Sequence, residues 1–154
     1  MFENQAFNYQ QEIERLKDLF EFDFVALALV QSVESRFAHK WEYVSGNRSN
    51  RYRRITLQTG KGIAGHVFKT GKPLFIQDVA TTLAPNDLFN YPIVVAEGLK
   101  SFGAIPLYKY NRVNGVLLVA YRDDKRMTTE TFIEFENNVG PNFGPYYSKE
   151  MVKH

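Results

Sequence analysis

The spacing of apolar positions changes several times along the chain, and each change predicts an element. Ala6, Tyr9, Ile13, Leu16 and Phe20 recur at three- and four-residue intervals, which predicts an amphipathic helix over about residues 3–21. Residues 23–30 form a near-continuous apolar run, a buried strand. Residues 35–45 alternate, which would put Phe37, His39, Trp41 and Tyr43 on one face of a second strand. A polar cluster at 46–50 reads as a turn, and residues 53–59 as a third strand. Gly60, Gly62 and Gly65 then lead into a helix of about two turns, followed by a strand at 74–77.

Residues 81–90 read as a loop, with Pro85-Asn86-Asp87 as a turn or helix start. A short helix at 91–97 has Pro92 at its first position, where the missing N–H costs nothing, and Gly98 as its stop. Residues 101–108 and 113–122 are strands around a hairpin turn in "KYNRVNG". A closing helix is expected over 128–153, with Glu130 and Glu134 early, Lys149 and Lys153 late, and a kink at Gly140-Pro141. This order predicts one α+β domain over residues 1–154. Its core would be a mostly antiparallel sheet of about five or six strands between residues 23 and 121.

The stretch "GKGIAGHVFKTGKPL" contains a literal G-x-G-x-x-G, with Asp78 downstream. A dinucleotide fold would need a parallel crossover, usually a full helix of about 10–12 residues or more, and the space before Lys72 is too short. "KTGKP" is not a P-loop, because Pro73 stands where Ser or Thr is required.

Composition narrows the chemistry. The chain has 154 residues, 15% of them aromatic, and a formal net charge of +2 that is not gathered into long blocks, so neither nucleic acid nor a membrane is demanded. No apolar run is long enough to span a bilayer and the start is polar and amphipathic, so a cytoplasmic protein is expected. Cysteine is absent, which excludes disulfides, thiolate metal sites and thiol catalysis. The histidines are His39, His66 and His154; lone histidines in such settings are more often structural than ligands. No metal-spaced cluster or nucleophile elbow occurs, so no catalytic residue, metal or cofactor is expected. The run "NRSNRYRR" reads as a solvated hairpin turn or a partner-docking surface rather than a nucleic-acid patch.

"LQTGKGIAGHVFKTGKPLFIQDV" followed by "SFGAIPLYKYNRVNGVLLVAYRDDKRMTTETFIEFENNVG" resembles the GAF domain family over essentially the whole chain. Gly60, Gly62, Gly65, Gly71, Pro73, Asp78, Ser101, Pro106, Leu107, Gly115 and Val116 fit the family's pattern. The resemblance implies terminal helices on one face of the sheet and short pocket helices on the other. The family's sulfoxide reductases and its thioether-linked bilin proteins need cysteine, so those activities are excluded here.

Two helix starts are expected to meet a pocket, at 62–65 and 91–94. Unpaired N–H groups and the positive end of the helix dipole make such starts anion sites. With apolar flanks and no inward cation evident, a small monovalent anion suits better than a phosphate, and Trp41 can add an indole N–H. The residues alone leave open the reading that these glycines and Pro92 merely shape turns.

"HKWEY", "GKGIAGHVF" and "FNYPIVVAEGLKSFGAIPL" are similar to the nitrate-receptor branch of the family. That likeness implies nitrate as ligand, bound by the Trp41 indole and by the backbone N–H groups of Ile63, Ala64 and Ile93, with Tyr91 and Pro92 closing the wall. It also implies an oxygen-sensing cytoplasmic histidine kinase as partner and control of nitrate-respiration genes. Residues 81–98 are the expected moving part. The terminal helices allow a homodimer without requiring one. A GAF module for another ligand, such as a purine or an amino acid derivative, is the alternative.

Overall fold

In the structure, a computed structural model, residues 7–31, 38, 40–140 and 143–148 are described. The elements run α1 (Tyr9–Phe20), β1 (Phe24–Leu29), β2 (Tyr43–Ser45), a 3₁₀ turn (Arg51–Arg54), α2 (Gly62–Thr70), β3 (Leu74–Ile76), α3 (Val79–Thr82), a second 3₁₀ turn (Pro85–Asn90), α4 (Pro92–Glu97), β4 (Ser101–Lys109), β5 (Arg112–Tyr121) and α5 (Thr129–Val139). The five strands form one antiparallel sheet in the order β2-β1-β5-β4-β3. Central β5 pairs with β1 from Phe24 opposite Ala120 to Leu29 opposite Gly115. The β4–β5 hairpin turns on Tyr110 and Asn111, whose φ of 55° and 61° is the handedness that two-residue hairpins favour.

Successive strand residues face opposite sides, so the sheet separates two cores. On one side, Val25, Leu27, Ile105, Leu107, Leu117 and Val119 meet Ile13 and Leu16 of α1 and Phe132, Phe135 and Val139 of α5. Aromatic rings fill this side: Phe22 meets Phe135 edge-on at 5.7 Å, and Phe75 stacks on Phe132 at 4.8 Å. On the other side, Ala26, Ala28, Ala104 and Ala120 lie beneath Ile63, Ala64 and Val67 of α2 and Ile93 and Val94 of α4. An α+β antiparallel sheet, with α1 and α5 opposite the short helices, is the arrangement expected for the GAF fold.

Several boundaries differ from the sequence expectation. The opening helix begins at Tyr9, after its cap Asn8; residues 3–6 of the predicted 3–21 lie outside the described residues. Of the alternating stretch 35–45, only Tyr43–Ser45 is strand, and Phe37 and His39 lie outside the described residues. Trp41 and Tyr43 do not share a face. Trp41 belongs to the α2–α4 side and Tyr43 packs on the other, because strand conformation begins only after Trp41 and a period of two does not run through it.

The strand predicted at 53–59 is not formed. Tyr52 is buried within the Arg51–Arg54 turn, and Ile55 and Leu57 reach the core from an irregular segment, so their alternation is satisfied by packing without a pairing partner. The stretch 81–90, expected as loop, contains the end of α3 and the Pro85–Asn90 turn. The closing helix stops at Val139 instead of kinking: Gly140 adopts φ 54° and ψ −141°, and a residue before proline is disfavoured in helical conformation. Beyond it, Tyr147 exchanges backbone hydrogen bonds of 2.7 and 3.1 Å with Tyr108. Residues 149–154 of the expected helix are outside the described residues.

Candidate functional site

The glycines before α2 build a turn. Gly60 and Gly62 hold φ of 84° and 69°, and a side chain on Gly65 would collide with the Gln58 carbonyl. The turn closes through Lys61 N–H to Gln58 O at 3.1 Å and Gly60 N–H to Gly65 O at 2.9 Å. The first N–H of α2 to find an acceptor is that of Gly65, on Lys61 O at 3.1 Å. The N–H groups of Ile63 and Ala64 have none among the described residues.

At α4, Pro92 has no N–H to satisfy. Val94 and Val95 both donate to Tyr91 O, at 3.0 and 3.3 Å, and the Ile93 N–H has no acceptor among the described residues. The helices elsewhere are finished differently. Asn8, Asp78 and Thr128 cap α1, α3 and α5 through their side chains, whereas Lys61 and Tyr91 give α2 and α4 no such bond. Neither α2 nor α4 has an acid in its first turn.

Between these two starts lies a cavity of about 310 Å³. Trp41, Ile63, Ala64, Pro92 and Ile93 line it together. Tyr91 does not; it packs half-buried against the same core, one residue before the wall. Trp41 is 3% exposed, and its indole Nε1 is buried without a hydrogen-bond partner. A buried donor left unpaired costs about 1–3 kcal/mol, which an acceptor in the cavity would offset.

Sequence reasoning missed part of the wall. Ile55 and Leu57 enter it from the irregular segment read as a strand, Gln58 and Lys61 from the turn, and Phe89 and Asn90 from the second 3₁₀ turn. Phe89 is 85% exposed at the rim. It also missed Glu97, which is fully buried at the far end of α4. One oxygen, Oε1, accepts from Arg48 N–H at 2.7 Å and from Arg122 Nη2 at 2.5 Å; Oε2 has no partner. Arg122 also donates from Nε to Glu97 O at 2.6 Å and from its backbone N–H to the Asp23 carboxylate at 2.7 Å. This network ties α4 to the ends of β1 and β5. The signal was an acid in the apolar run "PIVVAEGL", with an arginine closing the last strand.

His66 is exposed on α2, His39 and His154 lie outside the described residues, and no group of metal-ligating side chains occurs among the described residues. Among those residues, no helix is long and apolar enough to cross a membrane.

The GAF-domain family model matches residues 9–135. The chain belongs to the GAF family. Among solved structures it is similar to NreA from Staphylococcus aureus, mutated in its nitrate-binding site. That likeness is 38% identity over 79% of this chain and 88% of that one, with a TM-score of 0.73. A second mutated NreA from S. aureus is 35% identical over 82% and 96% of the two chains, with a TM-score of 0.70. A free methionine-R-sulfoxide reductase from Neisseria meningitidis, at 18% identity over 87% and 74% and a TM-score of 0.65, shares the fold. No curated protein matches the chain. The GAF fold thus occurs both in NreA, which has a nitrate-binding site, and in an enzyme.

Proposed function

We propose that this GAF protein is a nitrate receptor without enzymatic activity that works in the cytoplasm and adjusts an oxygen-sensing histidine kinase controlling nitrate-respiration genes. The observation that carries the reading is a cavity lined by four residues whose donors have no acceptor among the described residues: Trp41 with its buried indole N–H, and Ile63, Ala64 and Ile93 with their backbone N–H groups. Four uncharged donors on residues of one mixed apolar and polar wall suit a weakly hydrated monovalent anion, and likeness to NreA supports nitrate. Tyr91 and Pro92 complete the assignment, with Pro92 on the wall and Tyr91 supporting it from behind.

To signal, nitrate must favour one conformation over another. Residues 81–98 serve as that moving part: they carry the Ile93 donor and the exposed Phe89, which can fold over the opening. A kinase, and a second copy through the terminal helices, are the partners of this reading. The size of the cavity favours a second reading, a larger ligand such as a purine or an amino acid derivative, since small-molecule sites begin at about 300 Å³.

Thermal unfolding with sodium nitrate against sodium chloride at equal ionic strength separates the two. At about a hundredfold excess over Kd, nitrate should add roughly 2.7 kcal/mol, or about 5–10 °C in Tm. Equal Tm in both salts at every concentration would sink the nitrate reading.

A further inference from the structure

We propose that Lys61 supplies the formal positive charge that draws the anion to the cavity and balances it there, an inference that rests on the anion reading above. Among the described residues that line the cavity, Lys61 is the one charged side chain, and none is a carboxylate. It forms no ion pair among the described residues. Nor does the neighbouring chain neutralise it. Between Glu42 and Asp78 there is no acid, against Arg48, Arg51, Arg53, Arg54, Lys69 and Lys72 as further cations.

Its place in the fold is locally unfavourable. Lys61 is the N-cap of the nine-residue α2, where Ser, Thr, Asp or Asn would bond the free N–H groups, and it makes no side-chain cap bond. A cation there also meets the positive end of the helix dipole, which favours anions. Local rules are broken most often where function requires it. Here the uncapped start leaves the Ile63 and Ala64 N–H groups without acceptors among the described residues, in a cavity that Trp41 also lines with its indole Nε1 unpaired, and a bound anion would satisfy dipole, donors and ammonium at once.

The ammonium is exposed, so it pays no burial cost and acts over a screening length of about 8–10 Å. Two unit charges about 7 Å apart in a water-like medium change affinity roughly threefold, so this is the scale expected for removing Lys61. The dipolar donors hold the anion; Lys61 adds the part that salt can screen.

The test is nitrate affinity by calorimetry at low and at physiological ionic strength, with potassium fluoride as the added salt, for wild type, Lys61→Arg, Lys61→Gln and Lys61→Asp. Lys61→Arg should bind as wild type does. Lys61→Gln should bind about threefold more weakly at low salt, with a shallower dependence on ionic strength. Lys61→Asp should abolish binding, because its carboxylate would occupy the helix start. It should also raise the Tm of the ligand-free protein by about 2–4 °C as a proper N-cap. Lys61→Gln matching wild type in affinity and salt dependence, or Lys61→Asp binding nitrate normally, would overturn the proposal. Wild type failing to bind nitrate at all would defeat the anion reading itself, and Lys61's role with it, so the wild-type measurement distinguishes the two failures.

Discussion

The two faces of the sheet are built from one set of strands and to opposite ends. Toward α1 and α5 the strands present Val, Leu and Ile, and the space is filled by Phe20, Phe22, Phe132 and Phe135 in ring contact. Toward α2 and α4 they present Ala26, Ala28, Ala104 and Ala120 among Phe24, Phe102, Val116 and Leu118, and a cavity lies above them between the starts of α2 and α4. The helices repeat the contrast. Those on the packed face are capped by Asn8 and Thr128, while the two reaching the cavity have open starts. One face contributes stability by filling space and satisfying donors. The other keeps space and donors unfilled among the described residues, which the nitrate proposal assigns to a ligand.

The largest effects should come from crossing these assignments. Phe135→Ala empties the packed face at a fully buried ring and should cost about 3–5 kcal/mol in chemical denaturation, while nitrate affinity of the folded fraction is kept. Glu97→Ala leaves Arg122 without its buried carboxylate and should cost roughly 3 kcal/mol, and it loosens α4 as well. Nitrate affinity should therefore fall with it, a coupling that Phe135→Ala must not show if the two faces are independent.

Smaller changes in stability accompany larger changes in binding on the open face. Trp41→Phe keeps an aromatic ring and deletes the unpaired donor. Ligand-free stability should change by less than about 1 kcal/mol, while nitrate affinity drops roughly tenfold to a hundredfold by calorimetry. Ala64→Leu should fill the cavity and remove the nitrate-dependent rise in Tm. Unchanged affinity in either variant would remove that residue from the site.

Alkaline pH gives the smallest contrast, read in ligand-free stability at two tyrosines of the packed side. Burial pushes Tyr9 up to about 12, with Tyr146 adding to it, and burial beside Asp23 does the same for Tyr121. The folded protein therefore holds these protons more tightly than the unfolded chain. Stability from them is complete below about pH 10 and is lost as pH rises toward 12. A pH series of denaturation midpoints should show that decline.

The packed face was legible in the sequence because its residues sit in regular elements. The spacing of Tyr9, Ile13, Leu16 and Phe20 and the two long strands carry their own period. The open face was legible in its backbone features: the Gly60–Gly65 turn and Pro92 at the start of α4 are written in residue types with few alternatives. What escaped were residues whose neighbours are distant in the chain. Trp41 was placed beside Tyr43 by alternation, but it precedes the strand and turns the other way. Residues 53–59 alternate as a strand does, yet Ile55 and Leu57 are held by packing against a cavity that no local pattern announces. Glu97 depends on Arg122, brought to it only by the return of β5.

The most direct test uses the fact that the chain has a single tryptophan. In a proton–nitrogen correlation spectrum, one indole peak reports Trp41 Nε1. Titration with sodium nitrate should move that peak downfield together with the Ile63, Ala64 and Ile93 amides, along one saturable curve, while sodium chloride at the same ionic strength leaves them in place. An indole peak that stays put through a nitrate titration would contradict the assignment of the open face to an anion.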